Sequence, residues 1–137
     1  MIMEKTRLTM YLVLSSGMIL LLWGIIQLGF SNFVVTGYFQ PGSEQYGITL
    51  MGLGLSGLSS LLIGVFLIFL SKDIGRASMI ARKSGIVMSV ILFVLAAWIL
   101  ATGPLNIPTI GIDPVIKTIC GLMVLLPLVL YRYYFNW

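Results

Sequence analysis

Four long apolar stretches, at 8–30, 46–71, 84–102 and 114–134, occupy most of this chain and leave it one kind of fold. A helix rises 1.5 Å per residue, so about 20 residues cross the hydrocarbon core of a bilayer. Each stretch is about that long or longer. In hydrocarbon no water can satisfy a stray backbone group, so each crossing segment must close its hydrogen bonds internally, as a helix. The 137 residues are 59% hydrophobic and only 9% charged, where soluble domains carry about 25% charged residues. Mean hydropathy is +1.09. A water-soluble fold has nowhere to hide so much apolar surface. The expectation is an all-α integral membrane protein, with a single domain over 1–137. Its four transmembrane helices form an antiparallel up-down bundle.

Charge sets the expected orientation. If the N-terminus is cytoplasmic, Lys5, Arg7, Lys72, Arg76, Arg82, Lys83 and Arg132 all fall inside, and only Lys117 falls outside. Cytoplasmic connections carry such an excess of Lys and Arg, so both termini are expected in the cytoplasm. Arg76, Arg82, Lys83 and Arg132 are expected to face lipid headgroups, and the expected location is a prokaryotic plasma membrane. The net charge of +4 lies beside the spans, which removes the reason to read it as a nucleic-acid footprint. Lys5 and Arg7 before an apolar run resemble the start of a signal peptide. The run continues to Phe30 with no small-residue cleavage site, so a retained first span is expected.

Local signals mark the connections. Pro41-Gly42 is a turn, and Gly103-Pro104 stops the third span. Asp113-Pro114 has the order of an N-cap followed by proline at N1. Nothing between Ala77 and Lys83 breaks a helix, so that segment is expected to run helically into the third span. Pro127 is expected to kink the fourth span. The aromatic tail from Tyr131 to Trp137 is expected to sit in the interface.

The chemistry expected of the chain is mostly negative. No span has Asp, Glu, Lys or Arg near its middle, and there is no histidine. A proton- or ion-coupled transporter keeps an ionisable group inside the membrane. Small four-helix multidrug exporters share this size and helix count but depend on a carboxylate in the first span. Here the first span offers only Ser15, Ser16 and Gln27. Lys117 is expected to snorkel to the surface or to pair with Asp113 four residues earlier. Ser59, Ser60 and Ser84 have no histidine to activate them, and no lysine or aspartate is expected within their reach at membrane depth. The methionines are dispersed, and the single cysteine, Cys120, has no disulfide partner. No catalytic residue, metal or cofactor site is expected.

One positive pattern stands out. Gly52, Ser56, Ser60 and Gly64 recur every four residues along the second span, and Ala77, Ala81, Gly85 and Ser89 do so on the third. Residues four apart share a helix face, and small residues there let two backbones approach closely in lipid. Gly52, Ser56, Ser60, Gly64, Ala81, Gly85 and Ser89 are therefore expected at helix-packing interfaces, within the chain or against another. The expected function is a non-catalytic polytopic subunit that packs into and stabilises a larger integral-membrane complex, with an oxidase, monooxygenase or respiratory assembly as a natural host. The alternative is a small homo-oligomeric channel or transporter for an uncharged solute. The expected partners are the lipid bilayer and other membrane subunits, and not nucleic acid.

Overall fold

A computed structural model describes residues 2–103 and 107–131. Four helices are long and apolar enough to cross a membrane: α1 (Ile2–Thr36), α2 (Glu44–Gly75), α3 (Met79–Thr102) and α5 (Asp113–Leu130). A single helical turn, α4 (Pro108–Gly111), precedes the last. α1 and α2 overrun their apolar stretches at both ends, because nothing in the flanking sequence interrupts a helix already begun. Ser43 caps α2 by accepting from the Tyr46 N–H, and Ser78 caps α3 by accepting from the Ala81 N–H.

Two sequence expectations change here. The segment from Ala77 to Lys83 is not one helix: Ala77 sits at φ 59, the left-handed region, and α3 starts at Met79 after the Ser78 cap. A chain reversal this tight needs one residue of left-handed backbone, and alanine takes it here at about 1–2 kcal/mol. Asp113, in turn, is not an N-cap. Ile112 holds that position without a side-chain cap, and the Asp113 carboxylate is turned into the bundle.

Contacts fix an up-down arrangement. Gly17 meets Gly64 and Gly24 meets Gly57, so α1 and α2 run antiparallel. Gly85 meets Leu128 and Gly121 meets Phe93, which pairs α3 with α5 in the same sense. Two tight hairpin-like pairs result, joined by α1 against α5. The buried face of α2 reads Leu53, Gly57, Ser60, Gly64, Leu67, Ser71 and Ile74, in alternating steps of four and three. That is a 3.5-residue repeat, the spacing that keeps one seam against a neighbour in left-handed helix pairs. α1 answers with Thr6, Thr9, Val13, Ser16 and Leu20. Small and polar residues alternate with leucine, isoleucine and valine along this seam, while many further leucines and isoleucines face outward, as suits a lipid solvent.

The seam is tight enough to exclude a methyl group. A Cβ on Gly24 would lie 2.6 Å from the Gly57 carbonyl oxygen, and one on Gly64 would lie 2.6 Å from that of Gly17. At the other end of the molecule Arg82 donates through Nε to the Leu128 carbonyl at 2.8 Å, fastening α3 to the end of α5. Lys5 lies over the Tyr131 ring.

Candidate functional site: a buried ion pair beside a cavity

Residues 107–112 do not stay above the bundle. Ile107 and Ile110 are buried in a small cluster with Val35 and Leu53, so the connection tucks between the longer α1 and α2. α5 therefore starts deep, and it carries Asp113 and Lys117 with it. Both residues are 0% exposed. Their depth follows from the helices they meet. Trp23 stands 15 residues beyond Leu8 on α1, and Ser56 stands 15 residues before Ser71 on α2. Each count places the cluster about 22 Å from the basic edge of an apolar layer about 30 Å thick.

The pair is held by a closed set of partners. Lys117 Nζ donates to Asp113 Oδ2 at 2.8 Å and to Ser56 Oγ at 2.8 Å. The second carboxylate oxygen accepts from Trp23 Nε1 at 2.6 Å. The Ser56 hydroxyl lies 3.1 Å from Asp113 Oδ2 and 3.2 Å from Gln27 Oε1, and its one proton serves either acceptor. Three spans, α1, α2 and α5, thus meet at one ion pair. Lys117 pairs with Asp113, one of the two outcomes expected of it. It does not snorkel, because Asp113 and Ser56 satisfy it within the bundle.

Ser56, which is not among the serines (Ser59, Ser60 and Ser84) expected to lie out of reach of lysine and aspartate, touches both. Among the described residues no three His, Cys, Asp or Glu side chains come together as a metal site.

Beside the pair is a cavity of about 600 Å³, bounded by α2, α3 and the start of α5. Gln27, Ser56, Asp113 and Lys117 line part of it, and Leu53, Leu55, Leu95, Trp98 and Ile99 make up much of the apolar remainder. Ile48, Leu55 and Trp98 are exposed, so the cavity opens sideways between α2 and α3.

The small-residue stripe divides over this geometry. Gly64 and Ser60 lie buried in α2, with Gly64 against α1, whereas Ser56 joins the polar cluster and Gly52 lines the cavity with nothing within 4 Å of its Cβ position. A step of four residues turns about 40° past a full helical turn. Three steps from Gly64 to Gly52 therefore rotate the stripe by about 120°, out of the seam and into the cavity wall. On α3, Ala81, Gly85 and Ser89 are buried, with Gly85 against Leu128 and Val124. Arg76 and Lys83 are exposed at the basic end, and Arg132 lies outside the described residues.

No protein-family model, curated protein or solved structure matches this chain.

Proposed function

We propose that this is a non-catalytic membrane protein that binds an uncharged apolar molecule in the cavity between α2 and α3. One observation carries this reading: a fully buried ion pair lines the side of a lipid-facing cavity of about 600 Å³. An ionisable group at such depth is costly to keep and is by default a functional candidate. An apolar pocket with a few convergent polar groups is the usual form of a small-molecule site. A transporter or channel for an uncharged solute would use the same features, with the cavity as its resting site. In the proposed orientation both termini are cytoplasmic, in a prokaryotic plasma membrane, and the cavity opens in the outer part of the bilayer.

The test is native mass spectrometry on protein extracted from its own membrane in mild detergent. A small apolar molecule retained by the wild type and lost on Gly52→Phe supports binding. An empty cavity in all preparations contradicts it. Orientation is read from cysteines placed at positions 72–83 with an impermeant thiol reagent in intact cells. Labelling from outside would reverse it, and Cys120 adds no background because it is buried.

A second reading is that the chain is an accessory subunit of a larger integral-membrane complex. The observation in its favour is Gly52, a small residue with open space around it on the α2 wall, where a foreign helix could approach closely. Large chains co-purifying at fixed stoichiometry would favour it, above all if Gly52→Phe released them.

A further inference from the structure

We infer that the groove between α1 and α5 binds one anionic phospholipid, with its phosphate at Lys5 and an acyl chain along α5. This groove shares no lining residue with the cavity between α2 and α3. Its volume is about 320 Å³, and its walls include Leu8 and Leu12 of α1 and Ile119, Leu122, Leu126 and Leu130 of α5. Leu12 is half-buried, and the other five are exposed on the surface of the bundle.

Three observations point to this occupant. The first is length. Ile119 to Leu130 covers about 16 Å of helix, and one leaflet of the hydrocarbon core is about 15 Å thick. An aliphatic groove running the depth of one leaflet matches a single acyl chain.

The second is the position of Lys5. Lys5, Leu8 and Leu12 follow steps of three and four, so they share one face of α1. Lys5 stands three residues before Leu8, about 4.5 Å outside the apolar stretch, and so within the headgroup layer, which is about 5–7 Å thick on each side. The Lys5 ammonium lies 4.9 Å from the centroid of the Tyr131 ring, and Tyr131 itself bounds the groove. A ring face attracts the cation without covering all of its N–H groups, and Lys5 is only half-buried. The cation is thus held at phosphate depth, at the head of the groove.

The third is sign. The described residues at this end hold six basic side chains and two acidic ones, Glu4 and Asp73. Glu4 is exposed and lies about 100° round α1 from Lys5. The field over the groove mouth is therefore positive, and a basic recess between membrane helices suits an anionic headgroup.

The test is native mass spectrometry of the full chain in mild detergent, titrated with phosphatidylglycerol and phosphatidylcholine of identical acyl chains. The expected result is one phosphatidylglycerol bound about 5-fold or more tightly than phosphatidylcholine. Lys5→Gln should erase that preference and Lys5→Arg should keep it. Lys83→Gln removes an exposed charge outside the groove lining and should leave the preference unchanged. Leu126→Trp narrows the groove and should weaken both lipids, with Leu122→Trp as the second block should the first variant fail to fold. Phosphatidylglycerol with a mid-chain diazirine should label the tryptic peptide 118–132, which carries the α5 wall. Glycerol phosphate, an anion without a chain, should not compete. Equal affinity for the two lipids, or an equal loss of preference in Lys5→Gln and Lys83→Gln, would mean diffuse attraction and would overturn the inference. Competition by glycerol phosphate, binding that survives both tryptophan variants, or labelling confined to other peptides would overturn it as well.

Discussion

Gly24→Ala should destabilise this protein even though alanine is the better helix former. The Cβ it adds would lie 2.6 Å from the Gly57 carbonyl oxygen and 2.7 Å from the Leu61 nitrogen. Ordinary contact begins near 3.4 Å, so α1 and α2 must part locally by about 0.8 Å. Both clashing atoms are backbone and cannot rotate away. Overpacking of this kind costs about 1–3 kcal/mol, and the intrinsic preference for alanine returns about 1 kcal/mol. The expected net loss is up to about 2 kcal/mol. Gly64→Ala should behave alike, and the double variant should lose less than the sum, because a seam already parted charges less for the second methyl. Gly52→Ala, Gly54→Ala and Gly29→Ala are the controls. Nothing lies within 4 Å of their Cβ positions, so the propensity gain stands alone and stability should hold or rise. The assay is reversible unfolding in mild detergent titrated with sodium dodecyl sulfate, followed by far-ultraviolet circular dichroism. Gly24→Ala and Gly64→Ala as stable as the controls would refute the close approach of α1 and α2.

Two further outcomes use the same assay. Ser56→Ala removes a hydroxyl that bonds Lys117, Asp113 and Gln27 from α2. It should cost about 1–3 kcal/mol, while Ser59→Ala, whose hydroxyl bonds only its own helix at the Ser56 carbonyl, should cost under about 0.5 kcal/mol; equal effects would contradict the network. Ser60 Oγ is buried with no hydrogen-bond partner among the described residues, so Ser60→Ala should stabilise by about 1 kcal/mol, and a loss of that size would show an unseen partner.

The four crossing helices were legible in composition and length alone, because lipid leaves the backbone so few choices. The polar core was harder to read. Asp113 and Lys117 show their i, i+4 spacing in the sequence, which suffices to predict that they pair. Their depth does not follow from α5 itself. It follows from Ile107 and Ile110 burying the preceding connection beside Val35 and Leu53, a long-range packing event. A hint was present in Trp23, whose indole N–H lies seven residues inside the end of the first apolar stretch, short of the interface where tryptophan collects, and so needs a buried acceptor. The α1–α2 seam was also visible in principle. Its buried residues follow steps of four and three, and a stripe counted only in fours drifts off that line, which is why Gly52 faces a cavity.

The most direct measurement of the central claim is the coupling free energy between Asp113 and Lys117, from a double-mutant cycle of Asp113→Asn and Lys117→Met in nanodiscs. A pair buried as deeply as this one should lose about 3–5 kcal/mol on either single replacement, because each strands a charge in the apolar layer. The double variant, with no charge left to strand, should be more stable than either single. Single replacements that each cost under about 1 kcal/mol and simply add would mean the two side chains reach water, and would contradict a charge pair held at membrane depth.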